Sequence, residues 1–301
     1  MQEMVIRDAD TQGVPLFHPC PPDPSCPYCG GAGPPPSGPS AFDWSFLDGA
    51  YCISLSSRPD RAASAAAQFH RLGLCRLVTF HRPTAHGGAP KVGIWEAHRA
   101  VGMDALAKGL RAALVTEDDV LFSRRVTPLT VRNVGEALAG LPPDWTIFFL
   151  GHWPLRAWFV RRRVLRTVSG CAHAYVASPR LLEWLRDHPY GTAPIVRLVG
   201  HGIDAAYAAL PGTYAYFPML ATQSTSPSDH IPRFSGRRIK RPKHLVMRPG
   251  IREALLSGLM RPSQYAVAAL SPVFYVLDRL GGPPRQQAPK VAQARRRRGR
   301  R

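Results

Sequence analysis

Residues 51–80 read YCISLSSRPDRAASAAAQFHRLGLCRLVTF. Tyr51 to Leu55 is a short apolar run with β-branched and aromatic character. The polar Ser56-Ser57-Arg58-Pro59-Asp60-Arg61 ends it, which predicts a strand and then a loop. Residues 60–72 are alanine-rich and predict a helix that Gly73 stops. Cys75 to Phe80 predicts a second strand. Strand, helix, strand is the opening of an α/β sheet with parallel neighbours.

The alternation continues downstream. Residues 93–108 place Ile94, Ala97, Val101 and Leu106 at roughly helical spacing, and Gly109 follows. Residues 111–115 lead into Thr116-Glu117-Asp118-Asp119-Val120, a central strand with acids at its carboxyl end. A helix over 130–140 precedes the apolar strand Trp145–Leu150. Two short strands are expected at Arg166–Cys171 and Ala172–Ala177, divided near Gly170. Ser178 and Pro179 then start a helix over 179–187. A helix over 203–210, a strand over 214–219 and a polar loop from Thr222 to Pro232 complete the body. Helices over 250–261 and 264–280 are amphipathic enough to lie across it or on a membrane. The expected organisation is a Pro/Gly/Cys-rich flexible leader (1–41), a catalytic-type domain (42–232), a basic helical extension (233–281) and a disordered basic tail (282–301).

The 301 residues are 45% hydrophobic, which excludes wholesale disorder. No apolar run approaches the roughly 20 residues that span a bilayer, and the first residues do not form a secretory signal. A cytoplasmic protein is expected. Lys and Arg number 39 against 20 acids, a formal charge of +19. Eight basic residues and no acid fall in 285–301, and seven more in 233–248. Such an excess suits nucleic acid, anionic lipid or an anionic small molecule.

Six cysteines in this length are too sparse for a disulfide framework. Cys26-Pro27-Tyr28-Cys29 has the spacing of half a zinc site. Cys20 and His18 could complete one only through a cramped loop, so a reduced, flexible leader is expected and a small metal knuckle is the alternative.

Three consecutive acids inside an apolar frame are costly to bury unpaired, so Glu117, Asp118 and Asp119 must face water, bases or a metal. Carboxyl ends of strands line the ligand crevice of an open α/β sheet. Hard oxygen ligands there suit Mn²⁺ or Mg²⁺ bridging phosphates. The bland alternative is a charged surface turn. Arg58 and Arg61 follow the first strand and offer donor forks for phosphate or a nucleotide; either could equally be solvated. His98, in the helix before the acidic strand, is by type more often structural than catalytic. His230, in a polar loop after Ser228-Asp229, could supply a late metal ligand. Asp204 opens a helix, where an acid suits the dipole; its functional reading is a general base.

These blocks resemble glycosyltransferase family 25, which includes bacterial lipopolysaccharide β-galactosyltransferases and the collagen galactosyltransferase domain. Three stretches carry the resemblance: Cys52–Arg61, Gly93–His98 and, most specifically, Leu114–Val120. Weaker echoes are Gly170–Val176, Ile203-Asp204, Pro218–Gln223 and Ser228-Asp229. Ser54 stands where the family has asparagine, and Ala97 where it has serine. The resemblance implies a GT-A-like α/β fold with a mixed, mostly parallel sheet flanked by helices. It also implies a UDP-sugar donor, Mn²⁺ or Mg²⁺, and inverting transfer of a hexose, galactose by family expectation. By matching motif it puts Arg58, Arg61, Glu117, Asp118 and His98 on the donor side, and Asp119, Asp118 and His230 on the metal. Asp204 becomes the base. A saccharide or glycolipid acceptor would bring the basic segments to an anionic membrane. Nucleic-acid binding through those segments, a metal-dependent nucleotidyltransferase or phosphohydrolase, and an inactive scaffold are the rival readings.

Overall fold

The computed structural model describes residues 16–30, 35–196, 202–224 and 249–281. The first elements are β1 (Phe17–Pro19), β2 (Gly49–Ile53), α1 (Pro59–Arg71) and β3 (Val78–His81). Pro59 and Asp60 suit the first turn of α1, and His70 and Arg71 its last. Gly73, at φ 67°, turns the chain back toward β3 in a conformation that favours glycine. Then follow α2 (Pro90–Ala107), β4 (Ala113–Glu117), β5 (Val120–Phe122) and α3 (Pro128–Ala139), the last opened by a Thr127/Thr130 capping box. Next come β6 (Ile147–Arg161), β7 (Val164–Ala177), α4 (Pro179–Asp187), α5 (Ile203–Tyr207), β8 (Thr213–Tyr216) and β9 (Ala221–Gln223). Two helices close the described chain, α6 (Pro249–Ala269) and α7 (Ser271–Gly281).

Seven strands form one sheet in the order β1-β3-β2-β4-β7-β6-β8, and β5 pairs with β9 in a small second sheet. The fold is a mixed α/β fold, a multi-stranded sheet flanked by helices. The expected parallel pairs are present: β2 with β3 and with β4. The expectation of a mostly parallel sheet is corrected. Among the described pairings of the main sheet β6–β8 is also parallel, whereas β1–β3, β4–β7, β6–β7 and β7–β8 are antiparallel. The cause is local. β6 and β7 join through a tight turn at Arg162-Arg163, with Arg163 at φ 63°. A hairpin makes its strands antiparallel, and β7 then inserts beside β4.

Within the expected leader, the described residues 16–30 include an edge strand and buried cysteines. β1 pairs with β3, and Cys20 and Cys26 are buried. The Trp44 indole donates to the Leu72 carbonyl at 2.7 Å.

One face of the sheet packs Phe69 and Leu72 at the end of α1, and Val131 and Val134 of α3, against Phe148 and Val176. The other packs Trp95, Val101, Leu181 and Tyr207 from α2, α4 and α5 against Ile147 and Phe149. α6 lies across the body through Gln264, which is 1% exposed. Its side-chain carbonyl accepts from the Met219 N–H at 2.7 Å. Its amide donates to the Tyr216 carbonyl at 3.1 Å and to His152 Nε2 at 2.9 Å. No helix among the described residues is long and apolar enough to cross a membrane. The basic stretch 233–248, His230 and the tail lie outside the described residues.

Candidate functional site

The carboxyl ends of β2 and β4 finish side by side, with Ile53 in register with Glu117. The loop after β2 delivers α1, and the acids follow β4. Arg61, in the first turn of α1, spans both aspartates: Nη1 lies 3.0 Å from Asp118 Oδ1 and Nη2 lies 3.0 Å from Asp119 Oδ2. Arg58 forms a bidentate pair with Asp60 at 3.0 and 2.9 Å. The backbone of the block is fixed too, since the Ser224 N–H donates to the Asp119 carbonyl at 2.6 Å. Ser224 is the last described residue before 225–248, the segment that carries His230.

Beneath Glu117 lies a buried polar chain. His98 Nε2 is 3.3 Å from Glu117 Oε1, His98 Nδ1 is 2.8 Å from the Tyr175 hydroxyl, and that hydroxyl is 2.9 Å from the Tyr207 hydroxyl. Burial pulls the His98 imidazole down to about 4, so the ring is neutral and its contact with Glu117 is a hydrogen bond rather than an ion pair. One arrangement satisfies every atom: Tyr207 donates to Tyr175, Tyr175 donates to Nδ1, and Nε2–H donates to Glu117. His98 is 0% exposed. Its contact with the site runs through Glu117 rather than through a surface of its own. It positions Glu117.

Asp204 stands at the start of α5 and interacts with both Glu117 and His98. Its carboxylate accepts the Ala172 N–H. Burial and the nearby Glu117 push its carboxyl up to about 6. The Ala172 donor comes from a break in the β6–β7 ladder. Pairing passes from Gly151 with Ala174 to Trp153 with Gly170, so residues 171–173 bulge out. Bulges of this kind re-aim side chains beside functional sites. Cys171, inside the bulge, has φ 65°, a strained value for a residue with a Cβ. Burial raises its thiol pKa, and the charges of Asp204, Glu117 and Asp119 raise it further. The sequence reading missed Cys171, Tyr175 and Tyr207 as parts of this site. For Cys171 and Tyr175 the signals were the strand break at Gly170 and the Gly170–Val176 echo; Tyr207 had none.

Glu117 and Asp119 carry more negative charge than Arg61 offsets. Burial pushes both carboxyls up to about 7, with repulsion from Asp118 adding to Glu117 and repulsion from Glu117 adding to Asp119. Asp119 Oδ1 is buried and has no hydrogen-bond partner among the described residues. An orphaned, dry carboxylate oxygen beside further acids suits a hard divalent cation. The acids do not draw three ligand atoms into one small sphere among the described residues. One or two carboxylates at most would hold such an ion.

No family model and no curated protein matches the chain. Among solved structures it is similar to the crystal structure of UDP-glucose pyrophosphorylase complexed with UDP-glucose. The identity is 12% and the TM-score 0.34, over 57% of this chain and 74% of that one. The likeness is distant and singles out no family.

Proposed function

We propose that the chain is a metal-assisted transferase acting on a nucleotide diphosphate-sugar, and that it moves the hexose with inversion to a saccharide hydroxyl. The observation that carries this reading is the orphaned Asp119 Oδ1 at the tip of β4, beside Glu117 and Asp118. Asp119 and Asp118 would hold Mn²⁺ or Mg²⁺, which when bound would screen the donor diphosphate. Arg61 is placed to turn from the aspartates to a phosphate, exchanging one pair of anionic oxygens for another. Glu117, held by His98, shapes the floor. Asp204 takes the proton from the acceptor hydroxyl. With its carboxyl near 6 it is ionised at neutral pH and still basic enough for that step.

A second reading, metal-dependent nucleotidyl transfer, uses the same acids with a sugar phosphate as nucleophile. It needs no general base, and the Ala172 N–H bond that already engages the Asp204 carboxylate favours it. Product analysis separates the two: nucleoside diphosphate marks glycosyl transfer, and pyrophosphate marks nucleotidyl transfer.

Calorimetric titration of UDP-hexoses with and without Mn²⁺ tests the shared premise. Metal-dependent affinity is expected in the wild type. It should fall at least about tenfold in Asp119→Ala, which loses a carboxylate ligand while keeping its fold. Equal metal-dependent affinity in that variant overturns the assignment.

A further inference from the structure

A second cluster lies at the opposite end of α1. Cys26 and Cys29 come from the proline-rich segment, His70 from the last turn of α1, and Cys75 from the turn before β3. One ligand atom from each lies within 4.8 Å of all the others. Cys26 Sγ is 3.7 Å from Cys75 Sγ, and Cys29 Sγ is 3.3 Å from His70 Nδ1. A tetrahedral zinc with Zn–S near 2.3 Å and Zn–N near 2.0 Å separates its ligands by about 3.8 Å (S to S) and about 3.5 Å (S to N). A disulfide would need about 2.05 Å.

From this geometry we infer that Cys26, Cys29, His70 and Cys75 form a closed, structural Zn²⁺ site. Three thiolates and one imidazole in a tetrahedron select zinc among the common divalent metals, and four protein ligands leave no position for substrate. The surroundings are built for it. The Cys26 N–H donates to the Asp23 carbonyl and the Gly30 N–H to the Cys26 carbonyl, which closes a tight knuckle around the first two cysteines. A Cβ on Gly30 would fall 1.9 Å from the Asp23 carbonyl oxygen, so the knuckle requires glycine there. The Tyr28 ring packs over Gly73, and its hydroxyl accepts the Phe42 N–H at 3.2 Å. These contacts seat the knuckle on the turn that supplies Cys75. His70 and Cys75, rather than Cys20 and His18, lie beside the Cys26/Cys29 pair. It stands apart from the acidic cluster and does not depend on the transferase reading.

Metal analysis of the full chain, purified under reducing conditions and dialysed without strong chelator, tests the proposal. Roughly one Zn²⁺ per chain is expected, as for a single closed site. It should be lost in Cys29→Ser and Cys75→Ser and retained in Cys20→Ala. Cobalt substitution should give the visible bands of a tetrahedral thiolate site. His70→Cys should keep the metal and shift those bands as the nitrogen ligand becomes sulfur. If the serine variants fail to fold, His70→Cys still decides. A metal-free wild type, zinc retained in Cys29→Ser, or an unshifted cobalt spectrum in His70→Cys would each overturn the site.

Discussion

Arg61, Asp204 and His98 show how far one side chain's surroundings change its chemistry. Arg61 holds two aspartates that would otherwise repel each other. His98 is a buried neutral ring that orients Glu117. Asp204 is a carboxylate kept near 6 by burial and by Glu117. If Asp204 removes the acceptor proton, turnover should rise with pH through about 6 and then level off, because its ionised form is the active one. Asp204→Asn should lower kcat about 10²-fold or more and flatten that limb, with little change in donor affinity. A pH–rate profile of the two proteins checks this, and an unchanged limb in the variant removes Asp204 from the role.

Among the elements, α6 joins the body through one buried amide and through apolar contacts of Met260, Ala268 and Tyr265. Gln264 serves the Met219 N–H, the Tyr216 carbonyl and His152 Nε2 in the interior. Gln264→Ala strands all three and should cost about 2 kcal/mol, read as a lower denaturant midpoint. Elements with a clean local pattern were legible in the sequence. The alanine-rich α1, the acid-tipped β4 and the Ser178-capped α4 fall within a few residues of their expected positions. The long β6–β7 hairpin was not, because Arg156, Arg161, Arg162 and Arg163 interrupt any apolar run that would announce it. The bulge at 171–173 reads in sequence as the end of one strand and the start of another. His70 and Cys75 lie 41 residues beyond Cys29 and 49 beyond Cys26, and only the folded α1–β3 turn brings them together. For the acidic site, the residue types at the end of β4 were legible. The hydrogen bonds beneath them depend on α2, β7 and α5 meeting in space.

For the molecule as a whole, two sets of buried groups oppose each other as pH changes. Burial holds His81, His98 and His173 at about 4 and His152 at about 3, below the ordinary 6.5. The unfolded chain therefore binds more protons at these sites, and their contribution to stability is lost as pH falls below 6.5. Glu117, Asp119 and Asp204 are raised, so the folded chain holds their protons longer and their effect has the opposite sign. Among the described residues, four histidines against three carboxyls leave about one net proton. Stability should fall by on the order of 1 kcal/mol per pH unit between about 6.5 and 4. Asp119→Ala removes one opposing group and should steepen that fall in urea titrations. A slope that is flat or inverted in both proteins would contradict the count.

The helix between the two clusters has its own consequence. Arg61 is committed to aspartates at one end of α1, and His70 faces Cys29 at the other. Each residue of an α-helix turns by about 100° and advances about 1.5 Å. Inserting or deleting one residue between these positions would swing one commitment away from its partner, whatever the inserted side chain. The interval is a ruler of fixed length, so divergence should be tolerated there as exchange of residues and never as a change in their number.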